Sequence, residues 1–551
     1  MNVRRHKFAR EAIVLAIITG IMTGDGLAEQ GKYFALKEYV PKPLPVLAET
    51  KDKLPSPIYD EDPDYVRCYW KAWELAFRNF HEPAPQSGYV SQFIDAAFNQ
   101  NIFLWDTCFL TMFCNYAHPY VPGIRSLDNF YAKQHEDGEI CREINRTTGK
   151  DFAPWVNREG KPLFSRWGYN WDKGQEQVDI VYSRRSVPTP APKLTLDSLN
   201  HPIFAWAELE SHRITADKAR LELVWQPLVK YHETLEKYLM QGNGLYITDS
   251  ASMDNATRNI YIKSGGTGID ISSEMVLFAR NLSEIAGILG KRGQARQYRR
   301  KADELAGLIN KLMWDDERKF YFDLSLDGKR ASVKSIAGFW TLLARVASES
   351  QAAALAAELN DPATFATLHR VPTLAANEPG FNSDGGYWNG AIWAPTEKMV
   401  VRGLENYGHD KLAREIAMNH LHHVVDVYKE TGTLWENYAP QSVSRGKPSR
   451  GDFVGWTGIG PIAFLIEYAI GIKADAVSNV VTWDIKSSKR VGVERFWFGG
   501  KTASFVCEEP NARGKRGIRV ESDGAFHLKI KIDGKTKAVD VPAEKTVQVK
   551  I

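Results

Sequence analysis

LFARNLSEIAGILGKRGQARQYRRKADELAGLINKL, residues 277–312, shows the unit from which the chain is built. Leu282, Ile285 and Leu289 recur at the three- and four-residue spacing that lines up one face of an α-helix. Gly290 then marks a stop, since glycine takes the left-handed backbone of a helix C-terminus at least cost. Ala302, Leu305 and Ile309 carry the same period through a second helix. Two amphipathic helices joined by a tight turn form a hairpin with one apolar face to bury.

The pattern repeats along the chain. Helical periodicity is predicted over roughly 63–81, 101–117, 123–135, 199–213, 215–240, 270–291, 293–313, 331–347, 349–359, 390–407, 409–428 and 456–472. Twelve helices in consecutive pairs suit a ring of hairpins, an (α/α)6 toroid, with inner helices lining the axis and outer helices covering them. Four long stretches rich in Gly, Pro, Asn and Asp, 138–197, 241–269, 360–389 and 429–455, are left as loops. Loops of that length in a compact domain usually carry function.

Beyond about Ala474 the period changes to two, as in Val480-Val481-Thr482-Trp483-Asp484-Ile485 and Phe526-His527-Leu528-Lys529-Ile530-Lys531-Ile532, with Asp533-Gly534 as a hairpin turn. Residues 475–551 are therefore expected to form a small C-terminal β-sandwich. Its exposed positions are mainly Lys, Asp and Glu without an aromatic platform, so structural support of the helical domain is the favoured role. The catalytic domain is expected over 65–474. Pro41, Pro43, Pro45, Pro55 and Pro57 disfavour helix in residues 29–64, which read as an extended surface lead-in.

Arg4, Arg5, Lys7 and Arg10 precede an apolar run from Ala12 to Met22, and Gly26-Leu27-Ala28 supplies small residues. Residues 1–28 thus read as a signal peptide, and the protein as exported to the periplasm or medium. The run is short for an ordinary transmembrane helix. An uncleaved anchor is the alternative, and no later segment has the length of a span.

With 70 basic and 67 acidic residues, the chain has no field that would favour nucleic acid or an anionic membrane. Cys68, Cys108, Cys114, Cys141 and Cys507 are odd in number and lack metal-ligand spacing, so neither a disulfide framework nor a zinc site is implied. His422 and His423 are adjacent on a helix and point in different directions. Asp323, Asp327 and Gly328 do not complete an EF-hand. No metal or other cofactor is expected.

Aromatic residues make up 11% of the chain, and the flat C–H faces of sugars stack on such rings, although most of them fill the core. Several sit beside two acidic motifs, Ser252-Met253-Asp254-Asn255-Ala256-Thr257-Arg258 and Trp435-Glu436-Asn437-Tyr438. Two carboxyl groups are what glycosidic cleavage requires: one protonates the departing oxygen, and the other activates water or attacks the anomeric carbon.

Further stretches accompany them in order: Trp105-Asp106-Thr107, Asn129-Phe130-Tyr131-Ala132-Lys133-Gln134, Gly385-Gly386-Tyr387-Trp388-Asn389-Gly390-Ala391-Ile392-Trp393-Ala394-Pro395 and Gly455-Trp456-Thr457-Gly458-Ile459-Gly460-Pro461. In these stretches the chain resembles the trehalase-like (α/α)6 glycosidases, closest to glycoside hydrolase family 63 and its bacterial relatives. The resemblance spans roughly residues 65–472. It implies that Asp254 is the general acid and Glu436 the general base of an inverting hydrolase. It also implies that Asp106 accepts hydrogen bonds from hydroxyls of the sugar being cleaved.

Trp105, Trp388, Trp393 and Trp456 are candidate subsite walls, with core packing as the alternative for each. Tyr387 and Asn389 lie in the same motif and are counted with the sugar-binding residues. Gly390, like Gly385 and Gly386, would let backbone approach the ligand or turn tightly. Gln134 and Arg258 are candidate hydroxyl binders, though Arg258 could equally hold a loop carboxylate.

The expected activity is exo-acting, inverting hydrolysis of an α-linked oligosaccharide or small glycoside, with an α-glucoside favoured. A mannoside, a rhamnoside or a trehalose-like disaccharide are rivals. Trehalose is disfavoured because Gly386-Tyr387-Trp388-Asn389-Gly390 stands where trehalases have a Gln-Trp-Asp run. A non-catalytic carbohydrate-binding protein and a polysaccharide lyase are rivals of other classes.

Overall fold

Helical segments alternate between an outer and an inner layer in the computed structural model, which describes residues 31–151, 202–247, 253–262 and 266–550, with a strand pair at Gly168–Asn170 and Gln175–Gln177. The expected signal peptide, most of the 138–197 loop and Ser252 lie outside the described residues. The helices that build the two layers are α1 (Pro63–Arg78), α2 (Leu104–Cys114), α3 (Phe204–Thr215), α4 (Lys218–Leu239), α5 (Ile269–Ile288), α6 (Arg292–Leu312), α7 (Trp340–Leu343), α8 (Glu349–Glu358), α9 (Ala394–Glu405), α10 (Asp410–Thr431) and α11 (Gly460–Ile470, of π-helical pitch), with short helical segments also at Asp128–Ala132 and Asn259–Ile262. Among the described residues no helix is long and apolar enough to cross a membrane.

Sequence pattern separates the layers. Every residue of α2 and α11 is buried, as befits segments apolar on all sides. By contrast α6 buries only Tyr298, Ala302, Ala306 and Ile309, one narrow stripe. Contacts run in a closed circuit, α2 to α3, α3 to α5, α5 to α7, α7 to α9, and α9 through Thr457–Ile459 back to α2. α4, α6 and α10 pack outside this circuit, and α1 packs against α10 and α11.

The lead-in departs from expectation. It is not extended throughout, since Leu47–Thr50 is helical and Lys51–Lys53 forms a 3-10 turn. It also contributes a strand, β1 (Ser56–Tyr59). The other strands of the two large sheets follow the helices: β2 (Ile472–Asp475), β3 (Val480–Ile485), β4 (Val491–Phe498), β5 (Lys501–Cys507), β6 (Gly517–Ser522), β7 (Phe526–Ile532), β8 (Lys535–Val541) and β9 (Lys545–Lys550).

They build a five-stranded sheet in the order β1-β4-β5-β6-β9 and a four-stranded sheet in the order β2-β3-β7-β8. β1 lies at the edge, where its Pro55-Ser56-Pro57 neighbourhood forfeits no interior hydrogen bond. In β7, Phe526, Leu528, Ile530 and Ile532 point inward with polar residues between them. Phe505 of one sheet touches Trp483 and Phe526 of the other, with ring centroids 5.7 and 5.9 Å apart.

The strands meet one end of the helical circuit. Ala476 and Gly499 donate backbone hydrogen bonds to Arg213 and Ile214 at the C-terminus of α3 (2.7 and 2.8 Å). His118, just past α2, stacks on Trp497 at 5.2 Å. Lys473 of β2 pairs with Glu405, the last residue of α9. The opposite end, where α2, α9 and α11 begin, is where the loops with the acidic motifs converge.

Candidate active site

Three loops are laced into one platform at that rim. Ile392 and Tyr438 exchange backbone hydrogen bonds (2.9 and 3.1 Å), and Glu436 donates its N–H to the Arg450 carbonyl (2.9 Å). These bonds tie the stretch before α9 to the folded-back loop 434–453. The segment around Asp254 joins through amide side chains. Asn255 donates to the Gly386 carbonyl (3.0 Å) and accepts from the Trp388 N–H (3.0 Å). Asn389 returns the contact, donating to the Asn255 carbonyl (2.9 Å) and accepting from the Thr257 N–H and hydroxyl (2.9 and 2.8 Å).

Glu436 is the best-held group there and is 2% exposed. Its Oε1 accepts from the Tyr387 hydroxyl (3.0 Å) and its Oε2 from the Arg450 N–H (3.2 Å). Burial pushes its carboxyl up to about 7. The Tyr387 hydroxyl, the Arg450 charge and the Arg450 N–H oppose that push, and the Asp254 carboxylate adds to it. Asp254 is half-buried. Both carboxylates also help hold the Tyr387 phenol protonated, after burial as the main cause, so they face one place. Tyr387 itself has φ +62°, a left-handed conformation that aims its hydroxyl and is sparsely adopted by side chains of this size.

Asp106 lies in the first turn of α2, and burial pushes its carboxyl well above the usual range, with Arg142 pulling down and Glu143 and Glu436 pushing up. The pairing of Phe103 with Glu143 and the Leu104 N–H to Arg142 carbonyl bond (2.9 Å) place those two groups beside it. Around the carboxyl groups stand indole rings: Trp105 lies 6.2 Å from Trp388 and 5.9 Å from Trp456 between centroids. The Trp456 indole N–H donates to the Glu436 carbonyl (2.9 Å), fixing the backbone of the loop that carries Glu436.

Several of the candidate sugar-binding residues are engaged within the scaffold, Arg258, Trp393 and Gly390 in the alternative roles given for them. Arg258 is fully buried and held between two carboxylates. Nε and Nη2 donate to Asp323 (2.8 and 2.5 Å), and Nη1 and Nη2 to Asp270 (2.6 and 2.9 Å). It anchors the Asp254 segment to the start of α5. Gln134 is wholly buried and donates to the carbonyls of Gly138 (2.9 Å) and Pro227 (3.0 Å).

Both ends of the Asn389 amide are taken up by the Asp254 segment, as described above. Trp393 is buried and stacks on Trp388 at 4.3 Å, the core packing given as its alternative. Gly390 has φ +148°, and a Cβ there would come within 2.6 Å of the Asn382 carbonyl, so the glycine serves a tight turn. Tyr387, Trp388, Trp105, Asp106 and Trp456 do gather around Glu436. Sequence reasoning missed Arg450, which acts on Glu436 through its charge and its backbone N–H, and Arg142 with Glu143, which no motif marks.

A family model described as the mannosylglycerate hydrolase MGH1-like glycoside hydrolase domain matches residues 165–457. An uncharacterized protein of Borreliella burgdorferi is 28% identical over 367 residues, covering 63% of this chain and 75% of that protein. A probable mannosyl-oligosaccharide glucosidase of Schizosaccharomyces pombe is 25% identical over 248 residues, 41% of this chain but only 30% of the yeast protein. Among solved structures, the GH63 mannosylglycerate hydrolase of Thermus thermophilus in complex with glucose is similar in fold. It shows a TM-score of 0.53 at 18% identity over 72% of this chain and 99% of that one.

Proposed function

The chain belongs to the MGH1-like glycoside hydrolase family of the GH63 type, and from that premise we propose that it hydrolyses a terminal α-linked sugar with inversion, Asp254 acting as acid and Glu436 as base. The observation that carries this reading is the setting of Glu436: buried, gripped on both oxygens, coupled to Asp254 and walled by indoles. A base poised near neutral pH combines a usable ionised fraction with a strong pull on a proton.

In the reaction, Asp254 gives its proton to the glycosidic oxygen as the bond to the anomeric carbon breaks. A water attacks that carbon from the opposite face and gives its proton to Glu436. The products are the free sugar of opposite anomeric configuration and the released alcohol. Such a mechanism needs the carboxyl groups about 6.5–9.5 Å apart, to leave room for the water.

Trp105, Trp388 and Trp456 form the apolar walls of the subsite, and Asp106 accepts from sugar hydroxyls. The closed circuit of α2, α3, α5, α7, α9 and Thr457–Ile459 is the inner ring of an (α/α)6 toroid, and the two stacked sheets are a β-sandwich that supports it. The basic, then apolar, N-terminal segment supports export. The favoured sugar is α-glucose. An α-mannoside is the second reading, supported by the description of the matching family model.

Aryl α-glucoside, aryl α-mannoside and α-linked disaccharides, offered to the purified protein with the fresh product followed by proton NMR, test the whole reading. Release of the β-anomer first is expected. A first product of retained configuration would overturn the role of Glu436, and an unsaturated product would make the protein a lyase.

A further inference from the structure

Apart from the active site, the described residues bring together one cluster of nitrogen and oxygen donors with metal-ligand spacing. His369, Glu397 and His420 are all buried, and each offers one ligand atom within 4.8 Å of the others. His369 Nε2 and His420 Nδ1 face each other at 3.0 Å. Glu397, in the first turn of α9, is wholly buried, yet neither of its oxygens has a hydrogen-bond donor. The nearby Arg370 does not supply one: its Nη2 is committed to the Leu359 carbonyl and the Asn360 side chain (2.9 and 2.8 Å).

A buried carboxyl without partners is costly in either protonation state. The ion lacks a counter-charge, and the neutral acid leaves its donor and acceptor unused. A cation between the three side chains removes that cost. The geometry suits it, because two ligands each about 2.1 Å from one ion, at angles between a right angle and tetrahedral, are about 3.0–3.4 Å apart. A simple imidazole–imidazole hydrogen bond also fits 3.0 Å, but it does nothing for Glu397.

We propose that His369, Glu397 and His420 bind a first-row divalent cation, with zinc the best match to two imidazoles and one carboxylate. The ligands come from three elements: the 360–389 loop, the start of α9 and the middle of α10. Their carriers are held in place before any ion arrives. Asn419 accepts from the Arg370 N–H (2.9 Å) and donates to the Leu368 carbonyl (3.0 Å). His423 stacks on His369 at 4.7 Å and donates from Nε2 to the same carbonyl (2.8 Å).

The site lies beneath the loop that carries Glu436. The His369 N–H donates to the Pro440 carbonyl (3.0 Å), and its ring lies 5.8 Å from that of Tyr438. The ion's role is therefore to pin the catalytic loop to α9 and α10, not to touch substrate.

The test strips the full chain with a chelator, desalts it, returns zinc alone and desalts again, with metal content read by mass spectrometry and Tm by calorimetry. One zinc per chain and a Tm that falls on stripping and recovers with zinc are expected. Glu397→Gln, which keeps the side-chain shape, is expected to retain no zinc and to show no zinc-dependent Tm shift. A wild-type chain without stoichiometric zinc, or a Glu397→Gln variant that keeps it, overturns the site. Should the variant not fold, cobalt-loaded wild type decides. Paramagnetically shifted imidazole signals that zinc displaces support the proposal, and their absence overturns it.

Discussion

Glu210 and Glu467, at the end of the helical circuit that meets the β-strands, are buried much as Glu436 is at the other end, yet their chemistry is opposite. Burial pushes every one of these carboxyls up. At Glu210 the charges of Arg402, Arg213 and Lys398 outweigh it and bring the carboxyl down to about 2. Glu467 is likewise lowered, with Arg402 at 3.0 Å and Lys398 at 3.0 Å. Glu436 has a phenol and a backbone N–H as its hydrogen-bond donors, which do not suffice. Burial is common to both ends, and the presence of cations at bonding distance decides whether a carboxylate cements the fold or remains reactive.

The largest effect expected from breaking this contrast is catalytic. Glu436→Gln and Asp254→Asn should each lower kcat by about a thousandfold or more while leaving the fold intact, since positioned acid–base groups contribute about 10²–10⁴. Steady-state rates on whichever aryl α-glycoside is cleaved check this, and a loss under tenfold at either position would remove that residue from the chemistry.

Next comes the other end, where Arg402→Met strips the main counter-charge from Glu210 and Glu467. Breaking a buried pair on one side costs about 3–5 kcal/mol. Urea unfolding should show it, with kcat per folded molecule within about twofold of the parent.

The pH profile sharpens the contrast further. In the proposed mechanism Glu436 must be ionised to take the proton from water, so kcat/KM should fall as pH drops through about 7. Tyr387→Phe removes a donor that lowers this value and should carry the limb to higher pH. A limb near 4.5, the ordinary value of a glutamate, would mean that Glu436 feels no burial.

The smallest effect is on stability. Because the folded-state value of Glu436 lies above its ordinary 4.5, ionising it opposes folding increasingly from pH 4.5 to 7 and constantly above. Glu436→Gln should therefore stabilise the protein at pH 8 relative to pH 5 by on the order of 1–3 kcal/mol. Glu210 runs the other way: its stabilisation is complete above about 4.5 and is lost as pH falls toward 2. Paired melting curves of the variant and parent at both pH values would read the first.

Much of this was legible in sequence, and the limits have physical causes. The helical periods were visible because a helix with one buried stripe, such as α6, repeats its apolar residues regardless of what covers them. For Arg258 a carboxylate partner was legible only as one of two alternatives, and the place of Asn389 was not legible, because their partners are decided by which loops meet. Asp323 is far from Arg258 in sequence and bonds it at 2.5 Å, and Asn389 finds Asn255 and Thr257 only once two loops converge. His369, Glu397 and His420 lie in separate segments and share no spacing that a motif could capture. The lead-in was misread for a related reason: its prolines describe local backbone, whereas the place of β1 depends on a strand near the other end of the chain.

That strand pairing has a consequence for how the protein is made. Ser56 and Tyr59 leave the ribosome more than 400 residues ahead of Glu494 and Val491, which they face across the sheet. Until β4 has been synthesised, β1 has no ladder to join and presents unpaired backbone to any sticky neighbour. A ribosome stalled ahead of residue 491 would thus release helices capable of collapse together with an orphan strand, a species prone to cross-chain pairing.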